Sequence, residues 1–158
     1  MGRRKTISDE EVLDALLAAL KAAGPDRLSF ALASKASGLA AATLVQRFGS
    51  REAMVEAVLL HAWNALDRAT ARADSEMPAT PGGAIALLTR LTVAETVAED
   101  LTGGLLLLRE DFRNPVLRAR GRAWGETLAR ALGRRLANRR DEAEQLGWQM
   151  ARLWQGSL

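Results

Sequence analysis

Helix starts and stops recur along this chain, and they constrain its fold more than any other feature. The first start is Ser8-Asp9-Glu10-Glu11, a capping box in which a hydroxyl and a carboxylate three residues later satisfy free backbone amides. Leucines follow at one-face helical spacing. Gly24-Pro25 then ends the helix, because proline cannot continue it. The pattern predicts a first helix over about 8–23.

Similar signals divide the next stretch into short helices. Ser29 is the predicted N-cap of a second helix, since serine accepts hydrogen bonds from first-turn amides, and Gly38 breaks the pattern after it. A third helix is predicted over about 41–48, and Ser50 caps a long fourth helix that ends near Asp74.

The second half of the chain continues the same pattern after a linker rich in Pro and Gly. A cap residue followed by Pro, typical of a helix start, occurs at Thr80-Pro81 and at Asn114-Pro115. The remaining predicted helices span about 82–100, a short segment following 105–108, 115–136 and 140–157.

Composition agrees with a helical fold. Apolar residues make up 48% of the chain, and the dominant Ala, Leu and Arg are good helix formers. Aromatic residues are only 4% and Tyr is absent, which disfavours a β-sandwich or barrel. The sequence therefore predicts an all-α protein.

Several functional classes are disfavoured. The chain has no Cys and one His, so a disulfide framework and a thiolate zinc site are excluded. We expect no catalysis and no cofactor, because there is no Gly-rich phosphate loop and no paired carboxylates. No apolar run of about 18 residues occurs, and no apolar signal core follows the basic N-terminus. We expect a cytoplasmic protein without a membrane partner.

Charge is unevenly distributed along the chain. The net charge is +3, yet residues 109–140 hold ten Arg against three acidic residues. The simple interpretation is a solvated helix face. A membrane-surface helix is the alternative, but Trp124, Leu128 and Leu132 in this segment are better used as core.

Two short helices with a Gly-containing turn, packed on a longer first helix, have the layout of a helix-turn-helix. Leu28-Ser29-Phe30-Ala31, Gly38-Leu39 and the run from Thr43 to Glu52 resemble the N-terminal signature of the tetracycline-repressor (TetR) family of transcriptional regulators. The resemblance covers about residues 5–60, and the remainder matches only in helix pattern and length. It implies a DNA-binding domain over 1–50 and a ligand-sensing, dimerising helical domain of antiparallel helices over 51–158. A three-helix packing motif without DNA binding is the simpler alternative.

The resemblance also implies roles for individual residues. Ser29 is expected to touch a phosphate, and Arg51 to point at the DNA backbone. Gln46 can pair bidentately with adenine, and Arg47 with guanine. Small residues at the start of the third helix allow it to lie deep in the major groove, and a basic arm is expected to follow the minor groove. The predicted DNA contacts are Arg3, Arg4, Lys5, Ser29, Ala41, Thr43, Gln46, Arg47 and Arg51.

Two positions depart from the family pattern. Ala40 stands where a capping Ser is common, and Val45 stands where most members have a phosphate-binding Tyr. The chain also ends at Trp154–Leu158 in what resembles the middle of a penultimate helix, so a longer parent chain is expected.

For the second domain, the resemblance implies a ligand pocket within the helices and a homodimer formed by the last two. The candidate pocket residues are Trp63, Phe112, Trp124, Trp148 and Met150. Tryptophan at helical spacing is often simply core, and that alternative stays open. The predicted function is a repressor released from a palindromic double-stranded DNA operator by an unknown small-molecule effector. The alternative is a helical interaction or adaptor domain.

Overall fold

A computed structural model describes residues 7–97 and 113–156. Within them the chain forms helices and no strand, which confirms the all-α prediction. The predicted short helix after 105–108 lies outside the described residues. The described α-helices are α1 (Asp9–Ala23), α2 (Phe30–Ser37), α3 (Ala41–Phe48), α4 (Arg51–Glu76), α5 (Pro81–Val97), α6 (Pro115–Leu136) and α7 (Arg140–Gln155).

The chain divides into two compact units, 1–62 and 63–158. The sequence analysis placed the boundary at 50/51, where α4 begins. The packing places it inside α4, because the first turns of that helix bury Met54, Val58 and Leu59 in the first unit. Arg51 also donates to the carbonyl oxygen of Pro25 at 2.5 Å. The His61 ring lies 2.6 Å from the Asp14 carboxylate on α1.

The helix caps and the glycine turn of the first unit form as the sequence predicts. Ser8 and Glu11 form both hydrogen bonds of a capping box at the start of α1. The Ser29 hydroxyl accepts from the Leu32 amide at 3.2 Å and caps α2. Gly38 ends α2 at φ 72°, a left-handed conformation that favours glycine. This residue makes the turn between α2 and α3.

In the second unit, α6 and α7 pack through a stripe of small residues. Gly133 faces the backbone of Ala143, and Gly147 faces the backbone of Ala129. A Cβ atom on either glycine would overlap the facing carbonyl oxygen. The close approach of the two helices therefore depends on both glycines.

Replacing Gly147 with Ala tests this close approach. Alanine favours helix by about 1 kcal/mol over glycine, but overlap with the Ala129 carbonyl has a larger opposite effect. We expect Gly147→Ala to lower the free energy of unfolding by about 1–3 kcal/mol, measured by urea denaturation. Gly125→Ala is the matched control, since its Cβ would make an ordinary 3.4 Å contact with the Trp148 ring. Equal stability of the two variants would contradict tight backbone packing.

The Arg-rich segment is not a uniformly solvated face, which corrects the simple interpretation of its charge. Arg120 forms an ion pair with Asp67, and both Arg134 and Arg135 form ion pairs with Asp74. These ion pairs link α6 to α4. Arg135 is only 5% exposed. Trp124, Leu128 and Leu132 are buried, as the sequence analysis proposed.

Arg135 closes the C-terminal end of α4. Its guanidinium lies 2.5 Å from the Asp74 carboxylate. It also donates to the carbonyl oxygens of Asp74 at 2.8 Å, Met77 at 3.0 Å and Pro78 at 3.0 Å. The last carbonyls of a helix have no partner within the helix. The buried guanidinium supplies those partners.

Arg135→Gln is therefore expected to be far more disruptive than Arg134→Gln. The first variant leaves several carbonyls at the end of α4 without their donor, and it leaves the Asp74 carboxylate with only the exposed Arg134 as its partner. We expect a loss of about 3 kcal/mol in unfolding free energy. The Arg134 side chain is 55% exposed and binds the same carboxylate. We therefore expect Arg134→Gln to lower the unfolding free energy by less than about 1 kcal/mol. Thermal and urea unfolding of both variants measure the difference. Similar losses of unfolding free energy in the two variants would show that the burial of Arg135 does not add to stability.

No helix among residues 7–97 and 113–156 is long and apolar enough to cross a membrane.

Candidate nucleic-acid interface and tryptophan cluster

Most of the surface of α3 faces outward. Leu44 is fully buried and Phe48 is half-buried one turn later, so these two side chains hold the helix against the first unit. Large apolar residues occur at only these two inward positions, which leaves the rest of the helix free of core contacts. The exposed residues of α3 are Ala41, Ala42, Thr43, Val45, Gln46 and Arg47.

The predicted DNA contacts on α3 share this outward surface. Thr43 and Gln46 are exposed, and Ala41 exposes the start of the helix. The Arg47 guanidinium lies 3.1 Å from the Asp9 carboxylate, and 30% of the Arg47 side chain stays exposed. An ion pair at such an exposed site contributes less than about 1 kcal/mol, so a stronger anion can displace Asp9.

The predicted DNA contacts outside α3 differ in their exposure and hydrogen bonding. Ser29 is exposed while its hydroxyl caps α2. Arg51 is half-buried, and one of its nitrogens is bound to the Pro25 carbonyl, so it is partly occupied within the unit. The basic arm of Arg3, Arg4 and Lys5 lies outside the described residues.

The start of α3 is uncapped, unlike those of α1, α2 and α6. Ala40 offers no side-chain acceptor, as the sequence predicts. Ser8, Ser29 and Asn114 do cap their helices. The first amides of a helix point outward and attract anions such as phosphate. The start of α3 thus keeps amide donors that a side chain occupies in α1, α2 and α6.

The charge of the first unit depends on its arm. Residues 7–62 hold five basic residues against seven acidic ones, and three more basic residues precede them within 1–6. The acidic residues Asp9, Glu10 and Glu11 occupy the first turn of α1, where carboxylates stabilise a helix. Attraction to a polyanion must therefore come from the arm and from individual side chains.

Three tryptophans form a cluster in the second unit. The Trp63 and Trp124 rings lie 5.7 Å apart with their planes at 48°. Trp154 lies 6.4 Å from Trp124 at 51°. Two of the predicted pocket residues, Trp63 and Trp124, are therefore neighbours. Trp154 was not among those candidates.

Threonine hydroxyls satisfy two of these indole N–H groups. Trp124 donates to the Thr70 hydroxyl at 2.9 Å, and Trp154 donates to the Thr92 hydroxyl at 2.9 Å. Each threonine in turn donates to the carbonyl four residues earlier on its own helix. Trp63 differs: it is 3% exposed, and its Nε1 has no hydrogen-bond partner in the described part of the chain. A buried donor left unpaired costs about 1–3 kcal/mol.

The remaining pocket candidates are Trp148, Met150 and Phe112. Trp148 lines a surface groove of about 690 Å³ on α6 and α7, together with Arg130, Arg140, Glu126 and Glu144. Met150 is half-buried on α7 and does not line that groove. Phe112 lies outside the described residues. The structure thus brings Trp63 and Trp124 together and places Trp148 at a separate groove.

Neither known families nor curated proteins identify this chain: no family model matches it, and no curated protein matches its sequence. Within residues 7–97 and 113–156, no group of three or more His, Asp or Glu side chains is arranged to hold a metal ion.

Two matched substitutions test the hydrogen-bond difference within the tryptophan cluster. Trp63 and Trp124 are each 3% exposed, so Trp→Phe removes similar buried surface at both positions. Trp124→Phe also loses the bond to Thr70, whereas Trp63→Phe removes an unpaired donor. We expect Trp124→Phe to lose about 1–3 kcal/mol more unfolding free energy, measured by urea denaturation. The reverse order would indicate that Trp63 donates a hydrogen bond in the free protein.

Proposed function

We propose that this chain is a sequence-specific DNA-binding regulator of the TetR type, which inserts α3 into the major groove. The observation that supports this most directly is the outward surface of α3. Thr43, Gln46 and Arg47 face solvent on a helix whose inward contacts are Leu44 and Phe48. An α-helix fits the major groove of B-DNA, where each base pair displays a distinct pattern of donors and acceptors.

Each exposed side chain has a suitable partner in that groove. The Gln46 amide can both donate to and accept from an adenine edge, and the Arg47 guanidinium can donate twice to guanine. Asp9 holds Arg47 near the exposed end of α3 until a base edge or phosphate replaces the carboxylate. Val45 offers an apolar contact for a thymine methyl in place of a phosphate-binding hydroxyl.

Backbone contacts fix the position of the protein on DNA. The uncapped amides at the start of α3 and the exposed Ser29 are suited to phosphate oxygens. The arm of Arg3, Arg4 and Lys5 supplies the basic excess that the described part of the first unit lacks. Binding of this kind is expected to weaken steeply as the salt concentration rises.

Regulation follows from two units joined by one helix. In the proposal, two copies of the chain place their α3 helices about one DNA turn apart, ~34–36 Å, on a palindromic operator. A small-molecule effector binds the second unit and favours a conformation with lower operator affinity. Its effect on operator binding equals its difference in affinity between the two conformations, commonly about 1–3 kcal/mol.

Operator selection followed by fluorescence anisotropy tests the proposal. Fragments of genomic DNA bound by the full chain are recovered and sequenced, and the enriched site is labelled. Binding is measured at 50 and 200 mM salt for the wild type, Gln46→Ala and Arg47→Ala. Arg72→Ala on α4 is the matched control for Arg47→Ala, because Arg72 is exposed, lies in the second unit and is not on the two helices expected to dimerise.

We expect Gln46→Ala and Arg47→Ala each to weaken specific binding about 5- to 150-fold, since a bidentate base contact contributes about 1–3 kcal/mol. The Arg72→Ala control is expected to change specific binding less than about threefold. Salt-sensitive binding that both α3 variants leave intact would reject α3 as the reading helix. The absence of any enriched sequence would reject the proposal itself.

A protein-interaction domain is the second candidate. Large apolar side chains are exposed in the second unit, with Leu153 76% exposed on α7 and Ile85 61% exposed on α5. A large contiguous apolar patch commonly marks a contact with another protein, and these two side chains are the candidates to contribute to one. Failure of the operator selection, with the helical fold intact, would favour this function.

A further inference from the structure

We propose that Trp63 is the hydrogen-bond donor of a small-molecule site in the second unit, and that its ligand is a flat aromatic compound with one carbonyl oxygen. The role of that ligand as an effector rests on the proposed regulatory function. The binding site itself rests only on the geometry around Trp63.

Trp63 differs from the two other tryptophans of its cluster in its hydrogen bonding. Trp124 and Trp154 each donate to a threonine hydroxyl at 2.9 Å. Trp63 is as buried as Trp124, yet in the described part of the chain its Nε1 is the buried side-chain polar atom left without an acceptor. Tryptophan N–H groups usually have a partner when buried. The missing partner is therefore an acceptor that the described residues do not supply.

A ligand carbonyl suits the Nε1–H of Trp63 better than a buried water does. A buried water commonly needs two to four polar partners. The nearby Thr70 hydroxyl already donates to Leu66 and accepts from Trp124, so it is engaged in both directions. A ligand carbonyl needs only one donor, which matches the single free N–H of Trp63.

The aromatic rings beside Trp63 favour an aromatic body for the rest of the ligand. The rings of Trp63 and Trp124 are tilted at 48° with centroids 5.7 Å apart, a geometry typical of attractive aromatic pairs. An aromatic ring extends such a cluster by offset or edge-to-face contacts. A single acceptor on an aromatic body thus satisfies both the polar and the apolar requirements of this site.

Nuclear magnetic resonance of the indole N–H groups tests the site on the wild-type chain. The protein has four Trp residues, so a ¹⁵N-labelled sample is expected to show four indole signals, assigned with Trp63→Phe, Trp124→Phe and Trp148→Phe. Acetophenone is the probe, and ethylbenzene of similar shape is the control that lacks the carbonyl. We expect acetophenone to move the Trp63 proton downfield in a saturable manner, while ethylbenzene does not.

Affinity measurements complete the test. Trp63→Phe is expected to weaken acetophenone binding about tenfold and to remove the preference over ethylbenzene, whereas Trp124→Phe retains that preference. An unmoved Trp63 signal, equal shifts with both compounds, or a preference that survives Trp63→Phe overturns the site. If Trp63→Phe does not fold, Trp154→Phe completes the assignment, the Trp63 signal is identified by elimination, and the wild-type titration decides.

The titration uses no DNA, so its failure leaves the proposed operator binding unaffected. A positive titration combined with a failed operator selection would retain the site and remove its role as a sensor.

Discussion

The burial of Leu44 determines what the first unit can do. A helix of eight residues is too short to be stable alone, and α3 also lacks a side-chain cap. Its helical state therefore depends on packing of Leu44, with Phe48 half-buried beside it. Because this contact is narrow, the remaining side chains of α3 are left exposed. A single buried stripe thus both forms the helix and presents Thr43, Gln46 and Arg47 outward.

Hydrogen bonds to buried polar groups organise the second unit. Arg135 supplies donors to the end of α4, and the threonines on α4 and α5 supply acceptors to two tryptophans. Glycines at the α6–α7 contact allow backbone approach that any Cβ would prevent. The Nε1–H of Trp63 is the exception, because no acceptor among the described residues pairs with it, and a buried polar group without a partner calls for a specific explanation.

The sequence predicts local structure well because helix ends depend on neighbouring residues. The caps at Ser8, Ser29 and Asn114 form as expected, and α3 begins and ends where its signals place it. The outward position of Gln46 follows from the inward spacing of two large apolar residues.

Tertiary partners are different, because no local pattern reveals them. Arg135 resembles its solvated neighbours in sequence, yet its carboxylate partner lies 61 residues away on α4. Nor does any local pattern show that Trp124 lies beside Trp63 while Trp148 lines a separate groove. Spacing along one helix shows which residues share a face, but not what packs against that face.

Amide spectra of the protein with its selected DNA duplex test the central claim most directly. The account predicts that DNA shifts or broadens the backbone amide signals of residues 41–47, while those of 141–152 on α7 change little. Changes concentrated on the arginine-bearing surfaces of α6 and α7, with α3 unaffected, would contradict it.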